Sequence, residues 1–165
     1  MSENSPSSVS SEIPSTGRLA AIDYGTVRVG IAVTDPDRRF ASPFENYQRR
    51  DQAADAQRFQ QLVRDERIVG FIVGLPIHNS GEESQKSLEA RAYGEWLAKT
   101  TGVPVQFFDE RYTSVFAEEL LGQAKLTSKR RKERRDMLAA QILLSAYLES
   151  AQGQASNPQS LGDRP

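Results

Sequence analysis

The fold is decided by residues 18–34, which read RLAAIDYGTVRVGIAVT. Two apolar runs flank a Gly-Thr pair, and apolar runs of this length bounded by glycine are typical of buried strands. We therefore predict strands at 19–24 and 28–34, joined by a tight turn. In the second strand one face carries three large apolar residues, and the other carries the small residues Gly30 and Ala32.

A carboxylate closes the first of these strands. Burying the unpaired charge of Asp23 would cost several kcal/mol or more, so its position calls for a metal ion or a phosphate-handling site. Two other acidic positions have similar settings, because the pair Asp109-Glu110 closes a later strand and Asp136 opens the last helix. Three carboxylates at element ends of a small α/β chain indicate metal-assisted phosphate chemistry.

Strand and helix patterns alternate beyond this hairpin. The run 68–75 is apolar throughout, which is typical of a strand covered on both faces. Ser80 and Glu83 form a capping-box pattern for a helix that ends near residue 101. The other predicted elements are a weak strand at 42–48, a helix at 52–65, a strand at 103–109, a helix capped by Thr113 or Ser114 and ending near 124, a loop at 122–132 and a last helix at 133–150.

Three consecutive strands, followed by strands that alternate with helices, predict an α/β fold with a mixed five-stranded sheet flanked by helices. We expect one domain at 18–150. The flanking segments 1–17 and 151–165 lack apolar periodicity and are expected to be disordered tails that folding does not need.

The composition limits the kinds of site that the chain can hold. Its 165 residues include no Cys and a single His, His78, which excludes disulfides and Cys- or His-rich metal sites. Hard oxygen ligands remain, and these favour Mg²⁺ or Mn²⁺. His78 itself is better explained as a loop residue without a role. No run of about 18 apolar residues and no signal-peptide pattern is present, so we expect a cytoplasmic protein that does not contact a membrane.

The formal net charge of −1 hides an uneven distribution of charge. Residues 1–17 carry two acidic and no basic side chains, and 151–165 carry one of each, so the core of 18–150 has a net charge of +1. Residues 129–135, KRRKERR, hold six basic residues and one acidic residue. A solvated helix start would explain such a run, but its position directly before Asp136 favours contact with phosphates.

The pattern leaves open which carboxylate of the Asp109-Glu110 pair points toward the site. Successive strand residues face opposite sides of a sheet, so only one of the two is expected to reach it. The other would serve as a partner for Arg111 or as a local cap.

The last helix places Asp136 on a stripe with Ala140, Leu143 and Tyr147. Because most of this helix is apolar, we expect Asp136 to lie one turn inside it and to face the protein. An alternative explanation is a carboxylate near a helix start that is favoured by the macrodipole.

Four blocks of the chain resemble the YqgF family, also called RuvX, of bacterial RNase H-like proteins. These proteins are described as pre-16S rRNA nucleases and were earlier described as Holliday junction resolvases. The blocks are LAAIDYGTVRVGIAV at 19–33, IVGLP at 72–76 with Gly81 following, FDERYTS at 108–114 and DMLAAQIL at 136–143. They stand in the family's order and cover about 18–150, so the resemblance implies a ribonuclease H fold.

The resemblance also implies roles for individual residues. Asp23 matches the metal ligand of the first strand, Glu110 rather than Asp109 matches the acid after the central strands, and Asp136 matches the C-terminal acid. Two Mg²⁺ or Mn²⁺ ions, bridged by Asp23 and flanked by the other two acids, would neutralise the attacking and leaving oxygens of a phosphodiester. The expected contacts to the nucleic-acid backbone are Thr26, Arg28, Arg111, Arg130, Arg131 and Arg134.

The implied function is metal-dependent phosphodiester hydrolysis in processing of the 5′ end of pre-16S rRNA, with precursor RNA or ribosomal particles as partners. A Holliday junction resolvase-like DNA endonuclease is an alternative that would require a two-fold dimer. A non-catalytic RNA-binding or transcription-associated factor would leave the acidic trio without purpose. A kinase or ATPase is less suitable, because the chain is too short for two lobes and has no second Asp-x-Gly-Thr block.

Overall fold

The computed structural model describes residues 12–77, 80, 82–113 and 128–156. In this part of the chain five strands form one sheet in the order β3-β2-β1-β4-β5. Strands β1, β2 and β3 are antiparallel neighbours, and β4 and β5 continue the sheet parallel to β1. The strands are β1 (Arg18–Asp23), β2 (Arg28–Thr34), β3 (Ala41–Gln48), β4 (Ile68–Leu75) and β5 (Val105–Asp109), and the helices are α1 (Gln52–Glu66), α2 (Gln85–Thr101) and α3 (Ser128–Ser156), with a 3₁₀ turn at Glu110–Thr113. The predicted mixed α/β sheet is confirmed.

One face of the sheet, which we call the aromatic face, is covered by α1 and α2. Phe59 of α1 lies at its centre and makes edge-on contacts with four other rings at centroid distances of 5.8–6.5 Å. Those rings belong to Tyr47, Phe71, Tyr93 and Trp96. Buried Ile22, Ile31, Leu62 and Leu97 surround them. Large side chains therefore fill this side of the sheet.

The opposite face, which we call the carboxylate face, is covered by α3. Its core combines small strand residues with apolar side chains of the helix, namely Leu19, Ala21, Ala32, Ile72, Ala140, Leu143, Leu144 and Leu148. At Gly30 a Cβ atom would lie 1.9 Å from the backbone oxygen of Asp136. The helix therefore rests directly on the backbone of β2, as the small face predicted for this strand allows.

Helix α1 begins at the predicted residue, whereas α2 begins later than predicted. Helix α1 starts where predicted, because the side chain of Asp51 accepts a hydrogen bond from the backbone N–H of Ala54. Helix α2 begins four residues later than the Ser80 prediction, with Ser84 as its N-cap. The reason is a β-bridge between Ile77 and Glu83, which holds the chain outside the helix up to that point.

Helix α3 is longer at both ends than predicted. It begins at Ser128, within the expected 122–132 loop, and continues to Ser156, within the expected C-terminal tail. Lys, Arg, Gln and Ala are all good helix formers, so neither the basic run nor the polar end opposes the helix. Asp136 consequently lies more than two turns from the helix start rather than one. Strand β5 begins at Val105 rather than 103, since Pro104 has no N–H for the ladder.

The packed part of the chain begins before β1. Ile13 packs against the core of the carboxylate face, and the side chain of Arg38 donates to the backbone oxygens of Pro14 and Gly17. The predicted tail boundary at residue 17 therefore leaves out residues that contact the fold. The helix predicted to end near 124 lies outside the described residues, apart from Thr113 in the 3₁₀ turn.

None of the helices in the described part of the chain is both long enough and apolar enough to cross a membrane.

Candidate active site

Asp23 occupies the end of β1 on the carboxylate face. Leu19 and Ala21, which share its strand parity, both pack beneath α3. The backbone of Asp23 pairs with Gly30 of β2. The carboxylate is thus held by a central strand, at the point where the chain turns into the β1–β2 connection.

Asp136 reaches this place because Gly30 has no side chain. A Cβ atom at Gly30 would lie 3.0 Å from the Cβ of Asp136 and would collide with its backbone. Since Gly30 is the ladder partner of Asp23, the missing side chain brings α3 and its carboxylate next to the end of β1. Ala140 and Leu143 of the predicted stripe are buried against the sheet, so the stripe faces the protein as expected.

Glu110 reaches Asp23 from the other side through a second glycine. Ile22 pairs with Val73, which places Gly74 beside Asp23 on the neighbouring strand β4. A Cβ atom at Gly74 would lie 2.6 Å from Oε2 of Glu110. Two glycines therefore flank the end of β1, and each leaves space for one additional carboxylate.

The choice between Asp109 and Glu110 is settled by side-chain direction. Phe107 packs on the aromatic face and Phe108 on the carboxylate face, so Glu110 follows the parity of the site. Asp109 instead accepts hydrogen bonds from the guanidinium of Arg111 at 2.6 and 2.8 Å. This pair is the local role expected for the carboxylate that does not enter the site.

The electrostatic effects of the site are largest at Asp23. Burial, with repulsion from Glu110 and then Asp136, raises the pKa of Asp23 to about 7. Burial also raises the pKa of Glu110. The ammonium of Lys86, in the first turn of α2, opposes both increases. Asp23 is therefore the point at which the repulsion from the two neighbouring acids converges.

Two cavities meet at Asp23. The first, which we call the groove, has a volume of about 590 Å³ and includes Thr26, Arg28, Lys86 and Asp136 in its walls. The second has a volume of about 370 Å³, and its walls include Glu110, Thr113 and Arg135. Asp23 contributes to both cavities and is accessible from the side of each neighbouring carboxylate.

The carboxylates of the site are suitable donors for a hard cation, but they are not close enough together to surround one. Carboxylate oxygens that repel one another are the donors that Mg²⁺ and Mn²⁺ prefer. However, in the described part of the chain no three His, Cys, Asp or Glu side chains lie close enough together to hold one ion. Asp136 is turned toward Arg28, with 3.5 Å between its Oδ2 and the Nε of the arginine. The acids are neighbours, but they do not form a closed set of ligands.

The predicted phosphate contacts are distributed over several places. Thr26 and Arg28 line the groove and are exposed, and Arg111 is engaged with Asp109. The side chains of Arg130, Arg131 and Arg134 lie outside the described residues, as does His78. Their roles stay predictions.

Lys86 is the site residue that sequence reasoning missed. It belongs to α2, whose start depends on the Ser84 cap. Three strands, β2, β3 and β4, lie between Asp23 and Lys86 in the sequence. Its only signal is the position of a basic residue in the first turn of a helix, where the macrodipole disfavours positive charge. A functional reason would explain that placement.

Comparisons with known proteins place the chain in a family. A family model described as "RuvX: Holliday junction resolvase" matches residues 17–150. A protein of Rhodopirellula baltica named "Putative pre-16S rRNA nuclease" is 50% identical over 83% of this chain and 79% of its own length. A protein of the same name from Koribacter versatilis is 36% identical over 81% of this chain and 87% of its own length.

Solved structures agree on the fold. The Thermus thermophilus RuvC structure in complex with a Holliday junction substrate has a TM-score of 0.54 and 18% sequence identity, covering 82% of this chain and 96% of that one. At this level of identity the likeness shows a shared RNase H-like fold. It supports the architecture predicted from the four sequence blocks.

Proposed function

The chain belongs to the RuvX family, and from this membership and the three neighbouring carboxylates we propose that it is a metal-dependent nuclease that processes the 5′ end of pre-16S rRNA. One observation carries the chemistry. Asp23 lies between Glu110 and Asp136, and glycines on both neighbouring strands make room for them. A fold that needed only stability would have no reason to gather negative charge at this point.

The substrate is proposed from the relatives. Proteins named as pre-16S rRNA nucleases share 50% and 36% identity with most of this chain. The substrate would be precursor RNA, free or in ribosomal particles, in the cytoplasm. The described residues supply an exposed cationic wall for a phosphate backbone, with Arg28 and Lys86 in the groove beside Asp23.

The three carboxylates are the residues that would hold the cation, with Asp23 as the shared ligand. A bound Mg²⁺ or Mn²⁺ would neutralise these carboxylates and withdraw charge from the scissile phosphodiester. The raised pKa of Asp23 means that it carries a proton for part of the time near neutral pH when no cation is present. Loading the site therefore requires Asp23 to release this proton.

Arg28 connects the carboxylates to the phosphate backbone. It faces Asp136 at 3.5 Å and also forms part of the groove wall. An incoming phosphate competes with Asp136 for the guanidinium, and its arrival frees the carboxylate to turn toward Asp23. Substrate and cation would then favour each other's binding through this one arginine.

The experiment is a cleavage assay with purified protein, Mn²⁺ and end-labelled precursor RNA that spans the 5′ end of 16S rRNA. We expect Asp23→Asn to slow cleavage by more than about a hundredfold, because losing outer-shell partners of a metal already costs about 10- to 100-fold. Asp109→Asn is the matched control, since it neutralises a carboxylate that is bonded to Arg111. Equal cleavage by Asp23→Asn and the unaltered chain would exclude the proposed site.

A DNA junction is the second candidate substrate, favoured by the description of the matching family. A four-way DNA junction in the same assay separates the two functions. Faster cleavage of the junction than of the RNA, with the same loss in Asp23→Asn, would assign the site to a junction resolvase. Binding of RNA without cleavage in Mg²⁺ or Mn²⁺ would indicate a non-catalytic factor.

A further inference from the structure

A further cavity, distinct from the two at Asp23, adjoins the groove, and we call it the side pocket. It has a volume of about 350 Å³ and lies between α2 and the connection from β3 to α1. Tyr24 and Glu89 line both the side pocket and the groove. Tyr24 directly follows Asp23 in the chain, so the side pocket begins one residue away from the central carboxylate.

Flat side chains form the walls of the side pocket. The ring of Tyr93 lies 5.0 Å from that of Tyr24 and 5.2 Å from that of Trp96. The guanidinium of Arg49 lies over both tyrosine rings, 5.5 Å from the centroid of Tyr24 and 5.2 Å from that of Tyr93. Tyr24, Trp96 and Arg49 are only partly buried, so planar surface remains available to a ligand.

A buried carboxylate keeps these walls in place. Asp55 is 2% exposed and accepts hydrogen bonds from the Tyr47 hydroxyl at 2.6 Å and from the backbone N–H of Arg50 at 2.8 Å. Its second oxygen lies 3.7 Å from Nε of Arg49. Arg49 also donates to the backbone oxygen of Gly25 at 3.2 Å, which ties the side pocket to the turn after Asp23. The cavity is thus built from fixed groups.

Two polar groups of the side pocket have no partner among the described residues. The Tyr93 hydroxyl is buried without a hydrogen bond, and leaving a buried hydroxyl unsatisfied is unfavourable. Arg50 lines the mouth of the pocket, is exposed, and makes no ion pair within the described part of the chain. A negative charge beside the pocket would pair with the guanidinium of Arg50, whereas a ligand would reach the buried Tyr93 hydroxyl only after a shift of the side chains around it.

We propose that the side pocket binds one unpaired base of an RNA strand whose phosphate backbone lies in the groove beside Asp23. The proposal rests on the proposed nuclease function and adds a recognition site to it. The volume lies within the range of small-molecule sites and suits a single base. The base stacks on the Trp96 ring or the Arg49 guanidinium, both of which are surfaces that proteins use for unstacked bases. Arg50 contacts the adjoining phosphate.

The continuity of the two cavities favours a base that belongs to a strand over a free nucleotide. A strand that follows the groove passes Tyr24, and the next base along it can turn into the side pocket. A fully paired helix cannot supply such a base without unpairing it. The site would therefore select single-stranded or locally opened RNA and would fix the position of the strand relative to Asp23.

Trp96 provides a direct readout, because it is the only tryptophan of the chain. Titration with a single-stranded RNA octamer in the absence of divalent metal should quench and saturate its fluorescence. A series of octamers, each with one abasic nucleotide at a different position, should contain one member that binds about tenfold weaker or more and leaves Trp96 unquenched. A base-paired duplex of the same sequence should leave the fluorescence unchanged.

Variants of the walls provide a second measurement. Tyr24→Leu removes a ring that supports the stacking guanidinium of Arg49 and should weaken binding of the octamer by about tenfold. Arg50→Ala removes the proposed phosphate contact and should also weaken binding. The matched controls are Phe40→Ala and Arg39→Ala, which remove an exposed ring and an exposed cation in the β2–β3 connection. Both controls should bind the octamer as the unaltered chain does.

The outcomes separate this proposal from the nuclease function. Anisotropy of the labelled octamer measures binding anywhere on the protein, and cleavage with Mn²⁺ measures the carboxylate site. Binding and cleavage with unchanged Trp96 fluorescence and no preferred abasic position would overturn the side pocket alone. Quenching by AMP at the same concentration as by the octamer would assign the pocket to a free nucleotide and also overturn the proposal.

Discussion

The two faces of the sheet are built on opposite principles. The aromatic face carries Phe59 and the four rings that it contacts edge to face, beneath two helices. The carboxylate face carries Ala21, Ala32 and two glycines beneath one helix. Burial of large apolar side chains provides most of the free energy of folding, so the aromatic face contributes the larger share of stability.

The difference shows how a small protein tolerates a charged site. Gly30 and Gly74 give up apolar contact and gain the close approach of an acid, Asp136 at Gly30 and Glu110 at Gly74. The burial of Asp23 and its repulsion by the two neighbouring acids are unfavourable, and together they raise the pKa of Asp23. Packing on the other side of the same strands offsets that loss. The comparison can be tested by substitutions whose effects on stability are given below in decreasing order.

The largest effect is expected for Phe59→Ala. Removing a fully buried ring leaves a cavity and should lower the free energy of unfolding by about 3–5 kcal/mol, measured by urea denaturation. The matched control is Phe40→Ala, which removes a 69% exposed ring and should change the free energy of unfolding by less than about 0.5 kcal/mol. A loss below about 1 kcal/mol for Phe59→Ala would show that the aromatic face does not dominate stability.

The second effect concerns Gly30→Ala. The added methyl would lie 1.9 Å from a backbone oxygen of α3, so the helix must move, and we expect a loss of about 3 kcal/mol. Gly70→Ala is the control, because the atoms nearest to its methyl would belong to the side chains of Ile13 and Leu19 and not to backbone. It should cost about 1 kcal/mol. Similar losses for both variants would show that α3 does not depend on the backbone contact at Gly30.

The third effect is a loss of stability as the pH rises. Because the pKa of Asp23 is raised from 3.8 to about 7, the folded protein keeps a proton that the unfolded chain has released. The free energy of unfolding therefore falls as the pH rises from about 4 to about 7. Allowing for partial exposure, we expect a decrease of about 2 kcal/mol in metal-free protein, seen in denaturation curves at pH 5 and 8.

Asp23→Asn should reduce this pH dependence to the part that comes from Glu110, whose pKa burial also raises, and make the metal-free protein more stable at pH 8. Added Mn²⁺ should then stabilise the unaltered chain and leave the variant unchanged. In Asp109→Asn the decrease between pH 5 and 8 should persist, since Arg111 keeps the pKa of Asp109 below its usual value. A pH profile of Asp23→Asn that matches the unaltered chain would contradict the electrostatic account of the site.

The smallest effect on stability is expected for Asp109→Asn. Its partner Arg111 is exposed, and exposed ion pairs contribute little, so denaturation curves should be nearly unchanged. Calorimetry should also give an unchanged Mn²⁺ affinity, whereas Glu110→Gln should weaken it. Loss of Mn²⁺ affinity in Asp109→Asn would place that carboxylate in the site after all.

The hairpin and the apolar strand β4 could be predicted because short-range patterns specify them. Apolar runs gave β2 and β4 their observed limits, and α1 begins at the predicted residue 52. The helical stripe predicted that Asp136 faces the protein, and its place at an element end, with the family resemblance, predicted that it lies near Asp23; the two glycines explain why the approach is possible. In these cases the local pattern and the tertiary packing favour the same structure.

Other features depend on contacts that no local pattern records. The bridge from Ile77 to Glu83 delays the start of α2 and so determines where Lys86 lies. The choice of Glu110 over Asp109 follows from the face on which Phe108 packs. The contact between Arg28 and Asp136 joins residues that are more than a hundred positions apart. Long-range neighbours of this kind become visible only when the strands are paired.

The contact between Gly30 and α3 also fixes a distance. Helix α3 has 29 residues, and its backbone extends for eight residues before Asp136, or about 12 Å at the helical rise. Helix α3 is therefore held against β2 at Gly30. The basic run 129–135 lies on the part of the helix that precedes this contact. A nucleic acid held by that run would meet the carboxylates at a spacing set by a glycine that has no side chain with which to bind it. A shift of α3 by one helical turn at this contact would change which phosphate reaches Asp23, although the residues that bind the phosphate would be the same.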